Sequence, residues 1–91
     1  MNADRLDALT ERLWDELIEQ QERKLLRLAQ EMRPNITRDD LLQPQDIPEV
    51  AEDPQFNYED GLLAGIKAAR IAFRARILTP LRDAPPEKGS P

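Results

Sequence analysis

Two groups of side chains in the sequence have the charge and the spacing that site chemistry requires, and the first is acidic. Asp53, Asn57, Glu59 and Asp60 offer oxygen atoms close together along the chain. Oxygen atoms are the ligands that Ca²⁺ and Mg²⁺ prefer. The EF-hand loop also needs a glycine at its sixth position and a glutamate at its twelfth, which this spacing does not supply. We therefore interpret these residues as helix caps and solvated acidic surface, and we predict no metal site.

The second group is basic and lies on one arc of a predicted helix. Lys67, Arg70 and Arg74 follow one another at helical spacing, and such an arc can contact the phosphates of RNA or DNA. Ion pairs with the acidic segment before this helix, or with glutamates of the first helix, are the alternative. The net charge of −5 and the aromatic content of 4% favour ion pairs, because nucleic-acid-binding domains carry excess positive charge and stack bases on aromatic rings. We therefore expect no nucleic-acid partner and keep this arc as an alternative function.

The residue types that are absent exclude most catalytic chemistry. The chain has no cysteine and no histidine, so it has no thiolate nucleophile, no disulfide and no imidazole to bind a metal or move a proton. The di-iron sites of helix bundles need a Glu-x-x-His motif. Carboxylates at helical spacing, such as Asp15 and Glu19, lie outside the apolar stripe of their helix, where nothing prepares them for acid–base catalysis. The sequence therefore predicts no catalytic residue, no cofactor and no enzyme activity.

Charge is distributed unevenly along the 91 residues. Residues 34–60 carry eight acidic residues and one basic residue, whereas residues 61–91 carry six basic and two acidic residues. No apolar run approaches the ~18 residues of a membrane span, and the sequence does not begin with the pattern of a signal peptide. We therefore expect one small cytoplasmic domain with an acidic middle segment and no membrane association.

Helix-forming residues and proline positions predict an all-α protein. Strong helix formers without glycine or proline predict a long helix over residues 3–32, with Asn2 as its N-cap and Pro34 as its stop. The acidic, proline-rich segment 33–56 is a connector. In it, a capping-box pattern from Thr37 to Asp40 begins a short helix through Leu42. Apolar residues spaced along the connector are expected to hold it against the helices: Leu41, Leu42, Ile47, Val50 and Phe56.

A second long helix is predicted over residues 57–78. Asn57 is the expected N-cap, and an earlier start with Asp53 as cap and Pro54 at the first helical position is the alternative. Pro80 is expected to end this helix. The sequence therefore predicts a single helical-hairpin domain over residues 1–80, followed by a disordered tail over residues 81–91.

The helix faces predict a partner for this hairpin. The second helix has an apolar stripe and, beside it, an arc of glycine and alanine, and one partner helix cannot cover both. Two hairpins that pair as a four-helix bundle would cover both surfaces, so we predict a homodimer with a second protein as the alternative. Gln21 interrupts the apolar seam of the first helix, where it either lies at a wet edge or meets its copy across the interface. The predicted interface consists of Gln21, Leu62, Gly65, Ile66, Ala68, Ala69, Ala72, Phe73 and Ile77.

These features favour a non-enzymatic protein–protein interaction, scaffolding or regulatory module that acts as a homodimer. The connector is the candidate site for another protein, because functional residues are often found on loops held by a rigid scaffold. Its expected anchors are exposed apolar side chains: Ile47, Val50, Phe56 and Tyr58. The alternative function is a nucleic-acid-associated regulator that uses Lys67, Arg70 and Arg74.

Overall fold

The first helix, α1, extends over Ala3–Met32, as its composition predicts. The structure is a computed structural model that describes residues 2–84. The Asn2 side chain caps α1 by accepting a hydrogen bond of 2.8 Å from the backbone N–H of Arg5. At the other end Arg33 adopts an extended conformation, because Pro34 disfavours the α conformation in the residue before it.

The second long helix begins earlier and ends later than the sequence-based bounds of 57–78. Helix α3 covers Pro54–Phe73, and the Asp53 side chain caps it by accepting a hydrogen bond of 2.7 Å from the backbone N–H of Phe56. The start at residue 57 is therefore wrong, and the alternative with Asp53 as cap is correct. The Asn57 side chain instead donates a hydrogen bond to the Ala51 carbonyl at 3.0 Å.

The helical path continues past Pro80, which the sequence analysis took as a stop. Residues Arg74–Leu78 form a wider π-type turn, in which the Thr79 N–H bonds to the Arg74 carbonyl, and helix α4 then covers Thr79–Asp83. A proline ring clashes with the carbonyl four residues earlier in a regular α-helix, and the wider turn just before Pro80 makes room for it. Residues 81–83 are therefore helical, contrary to the predicted disordered tail. The rest of that tail, residues 85–91, lies outside the described residues.

The connector is made of short helical turns. Two 3₁₀ turns cover Asp40–Leu42 and Pro44–Asp46, and the four-residue helix α2 covers Pro48–Ala51. The predicted capping box is present: Asp40 Oδ2 accepts from the Thr37 N–H at 2.9 Å, and Thr37 Oγ1 accepts from the Asp40 N–H at 3.4 Å. No strand occurs within residues 2–84, which makes the described protein all-α.

The connector folds back over the helices and encloses a hydrophobic core. Of the five apolar residues expected to hold the connector against the helices, Leu42 does not do so, because it is 79% exposed. The core also contains Ile36, which the sequence analysis did not select. The buried residues of the core are Leu25, Ala29, Ile36, Ile47, Val50, Phe56 and Leu63.

Contacts between α1 and α3 define two halves of the molecule. Gln21 contacts Glu59, Glu11 contacts Arg70, and Arg82 contacts Asp7, so residue numbers rise along one helix as they fall along the other. The connector half comprises residues 21–63, and the distal half comprises residues 3–20 and 64–83. The described chain measures 64 × 18 × 17 Å. Within residues 2–84, every helix is too short or too polar to cross a membrane.

Candidate interaction surfaces

The face of α3 that packs on α1 differs from the predicted apolar stripe. Phe56, Glu59 and Leu63 are the buried residues of α3, whereas Leu62 and Ile77 are exposed. The connector core determines this rotation, because it buries Phe56 and Leu63 at the start of the helix. Of the stripe Leu62, Ile66, Ala69, Phe73 and Ile77, Leu62 and Ile77 consequently lie beside the helix interface, whereas Phe73 contacts Trp14 of α1.

The predicted basic arc faces α1 for the same reason. Arg70 and Arg74 both form ion pairs with Glu11, and Arg74 Nη1 also lies 3.6 Å from Asp7 Oδ1. Arg82 Nη2 lies 3.1 Å from Asp7 Oδ2, and the hydrogen bond that Arg82 donates to Asp7 raises the pKa of Arg82. These pairs, with the first helix rather than with the connector, compensate two of the three charges of the arc. Lys67, the third, has no carboxylate within 4.0 Å among the described residues.

The ion pairs occupy one edge of the α1–α3 contact, and an aromatic pair occupies the other. The rings of Trp14 and Phe73 contact each other with their centroids 6.0 Å apart and their planes tilted by 54°. Successive residues are turned by about 100° around a helix axis. Trp14 and Glu11 therefore point toward opposite edges of the α1 face that packs on α3. Phe73 and Arg70, also three residues apart, likewise point toward different edges of the α3 face that packs on α1.

Exposed apolar side chains lie along the aromatic edge, from the distal half to its boundary with the connector half. Helical spacing places Leu17 on the Trp14 side of α1 and Leu62 on the Phe73 side of α3. Leu13 precedes Leu17 by about one turn, and Ile77 follows Phe73 in the π-type turn. These four leucine and isoleucine side chains are all at least 36% exposed. The predicted interface did not include the leucines of α1, although their spacing by four residues is a signal for one. We call this surface the open face, and its exposed members are Leu9, Leu13, Leu17, Leu62, Ile77 and Leu81.

The arc of small residues on α3 lies further round the helix. Gly65, Ala68 and Ala72 are all exposed, and a Cβ atom added at Gly65 would meet nothing within 4 Å. The spacing of about 100° per residue puts this arc on the side of α3 that points away from α1. The arc therefore has no counterpart on α1 with which it could form a two-helix surface.

Gln21 takes part in a polar cluster within the chain. Its side-chain amide donates to the Glu59 carbonyl at 2.8 Å, and Lys24 Nζ lies 2.9 Å from Glu59 Oε1. Glu59 is only 4% exposed. The hydrogen bond from Lys24 lowers the pKa of Glu59, and the bond from Gln21 adds to this effect against the opposing cost of burial. The cluster thus joins α1 to α3 at the boundary between the two halves.

Three of the four predicted partner anchors are core residues. Ile47, Val50 and Phe56 are buried under the connector, so the expectation that they are exposed is wrong. A small domain has few apolar residues with which to form a core, so most of them are buried there. This connector encloses the main core of the chain. Tyr58 alone is exposed.

A groove lies between the connector and the two helices, and we call it the connector groove. Its volume is about 390 Å³. Apolar side chains, including Leu25, Phe56 and Leu63, form its floor, and charged side chains surround it. The residues that line it are Glu22, Leu25, Arg38, Asp39, Leu41, Leu42, Phe56, Asp60, Leu63 and Lys67.

The acidic residues singled out in the sequence are placed in separate environments. Asp53 caps α3, and Glu59 is held by Lys24. Asp60 lines the connector groove. Among the described residues, no three carboxylates lie close enough together to hold a metal ion.

Comparison with known proteins gave no match. No protein-family model, no curated protein and no solved structure matches this chain.

Proposed function

We propose that this protein is a small, non-enzymatic helical interaction module that acts as a homodimer. In this dimer the open faces of two helical hairpins pack against each other and form a four-helix bundle. The dimer is a rigid scaffold that presents two copies of the acidic connector to other proteins.

The open face is the observation that carries this proposal. Six leucine and isoleucine side chains on α1 and on the helical path from α3 to α4 are each 36–52% exposed. They lie near the Trp14–Phe73 contact, and a group of exposed apolar side chains on a small protein often marks a site of protein–protein contact. Covering such an area with a second apolar surface is favourable by about 25 cal/mol per Å².

A second copy of the chain suits this face better than a single partner helix. Two parallel strips of apolar side chains on two helices are one half of a four-helix bundle, and the same face on another copy supplies the other half. A two-fold axis lets one surface cover itself, which is why such dimers are the commonest oligomers. A stable interface buries about 800 Å² per partner, and a two-helix face can supply more of this area than one helix can.

Two faces of α3 compete for the role of interface. The sequence-based interface combined the apolar stripe with Gly65, Ala68 and Ala72, and it included Gln21. The apolar stripe is favoured because exposed leucines of α1 lie beside it, whereas the small-residue arc has no such neighbours. Gln21 is favoured as an internal contact because Glu59 already accepts its hydrogen bond.

Analytical ultracentrifugation of matched variants tests this proposal. Leu13→Glu and Ile77→Glu place a charge in the open face, and we expect each to convert a micromolar dimer into a monomer. Ile71→Glu is the control, because Ile71 is 68% exposed on the opposite edge, and it should leave the dimer unchanged. Ala68→Leu distinguishes the two faces of α3: it should have no effect if the open face is the interface.

The outcomes separate the alternatives. A wild-type monomer at high micromolar concentration would refute the homodimer. A dimer that resists Leu13→Glu but dissociates with Ala68→Leu would place the interface on the small-residue arc instead. Circular dichroism of each variant checks that loss of the dimer is not loss of the fold.

A further inference from the structure

The connector groove lies on the opposite edge of the hairpin from the open face. Glu22 follows Glu11 by about three helical turns, and Lys67 precedes Arg74 by about two, so both line the ionic edge of the α1–α3 contact. A second depression on this edge also contains Glu22 and Lys67 and extends the groove toward Ile71. A homodimer formed through the open face therefore leaves this groove accessible in both copies.

The apolar wall of the groove is held in place by local contacts. Leu42 projects from a 3₁₀ turn that the Thr37–Asp40 capping box fixes at its start. Arg38, two residues before this turn, is anchored to α1, with Nη2 3.1 Å from Glu19 Oε1. An exposed side chain on a backbone held in this way is a good binding anchor, since little backbone freedom is lost when a partner contacts it.

The charges around the groove favour a basic partner. Glu22, Asp39 and Asp60 line it, and none of the three has a basic group within 4.0 Å among the described residues. Arg38 is compensated by Glu19, which leaves Lys67 as the uncompensated cation of the lining. The rim therefore carries a net negative charge, and residues 34–60 around it carry seven more acidic than basic residues.

We propose that the connector groove binds an amphipathic helical segment of another protein, with apolar side chains against Leu42 and the groove floor. Lysine or arginine residues of that segment face Glu22, Asp39 and Asp60. A narrow apolar floor between charged walls is the arrangement that accepts the apolar face of a helix. This site rests on the interaction function proposed above, and it is independent of the dimer because it uses the opposite edge.

A synthetic peptide titration followed by two-dimensional NMR of the full-length protein tests this proposal. The probe is a peptide of about 14 residues, or four helical turns, with leucine on one face and lysine on the other. We expect saturable shifts of backbone amides centred on Leu42, Asp60 and Leu63. The same peptide with glutamate in place of lysine should bind at least about tenfold more weakly, because it meets like charges.

Variants of the protein localise the binding. Leu42→Ala should weaken it by about fivefold or more, as for a central anchor, and the high exposure of Leu42 keeps the fold intact. The double variant Asp39→Lys and Asp60→Lys should weaken binding of the lysine peptide by about tenfold, since it removes two attractive charges and adds two repulsive ones. The matched control is Asp46→Lys with Glu52→Lys, which makes the same change in net charge outside the groove and should have a smaller effect.

Three results would overturn the proposal. The first is that the lysine peptide shows no saturable binding. The second is that the Leu42→Ala variant binds this peptide as tightly as the wild type does. The third is that the two charge variants lose the same amount of affinity. Sedimentation of the same samples reports the dimer separately, so failure of the groove and failure of the homodimer are distinguishable.

Discussion

The same two helices are held together in different ways at the two ends of the molecule. In the connector half, α1 and α3 share a buried core with the connector, in which Val50, Ala29 and Phe56 are almost fully shielded from water. In the distal half, they meet through the Trp14–Phe73 contact and a set of partly exposed ion pairs. Leu78 is buried in this half, but Leu9, Leu13 and Leu17 stay exposed.

This difference indicates which half is complete in one chain. Burial of a large apolar side chain stabilises a fold by about 1.5–3 kcal/mol, whereas an exposed ion pair contributes about 0–1 kcal/mol. The connector half has many such buried side chains and needs no partner. The distal half has few of them and carries exposed leucines, so it is the half that we propose a second chain completes.

The largest expected effect is at the centre of the connector core. Phe56→Ala removes a ring that is 2% exposed and leaves a cavity, which should lower the free energy of unfolding by about 3–5 kcal/mol. Urea denaturation followed by circular dichroism measures this. Tyr58→Ala, at an exposed aromatic residue two positions away, is the control and should change stability by less than about 0.5 kcal/mol. Equal effects of the two variants would show that the connector core is not the main source of stability.

A smaller effect is expected at the boundary between the halves, and it depends on pH. The pKa of Glu59 is lower in the folded chain than its ordinary value of 4.5. The stability that this carboxylate contributes is therefore present above pH 4.5 and is lost as the pH falls through the folded pKa. Glu59→Gln should lower the urea concentration at the midpoint of denaturation at pH 7. Below pH 4.5, this midpoint should fall less with pH in the variant than in the wild type. A variant as acid-sensitive as the wild type would contradict this role for Glu59.

The smallest effect is expected in the distal half. Glu11→Gln removes the ion pairs with Arg70 and Arg74, and because these groups are about one-third exposed, the loss should be at most about 1 kcal/mol. The difference from the wild type should shrink in 1 M salt, which reduces the Debye length to about 3 Å. Glu16→Gln, at an exposed carboxylate of the same helix, is the control. A loss that high salt does not reduce would mean that Glu11 acts by packing and not by charge.

Local signals were sufficient to predict much of the fold. The bounds of α1 follow from Asn2, Pro34 and the uninterrupted helix formers between them. The capping box at Thr37 and Asp40 was also readable, because such motifs depend on a few neighbouring residues. For α3 the sequence offered two caps, and the pair of Asp53 with Pro54 at the first helical position prevails over Asn57.

The rotation of α3 could not be read from its own sequence. The apolar stripe from Leu62 to Ile77 is the more regular pattern, yet the face against α1 is determined by Phe56 and Leu63 under the connector. This rotation turned Arg70 and Arg74 inward and left Leu62 exposed. Which face of an apolar helix is buried depends on its tertiary contacts, and a sequence pattern with two apolar faces leaves that choice open.

The connector presented a similar problem. Its five apolar residues look equivalent in the sequence, but four pack on the helices while Leu42 projects into solvent. The 3₁₀ turn at Asp40–Leu42 determines this outcome, because adjacent residues in such a turn point in different directions. The candidate partner site therefore consists of Leu42 and the groove beside it, and not of Ile47, Val50 and Phe56.

Hydrogen exchange at two protein concentrations tests most directly whether a second chain completes the distal half. At high micromolar concentration, where the dimer forms, we expect backbone amides of residues 6–17 and 66–81 to be protected. At a concentration low enough to populate the monomer, these amides should exchange at least about tenfold faster, while those of Leu25, Val50 and Leu63 keep their protection. Protection of the distal half that is the same at both concentrations, in a sample that sediments as a monomer, would contradict the account.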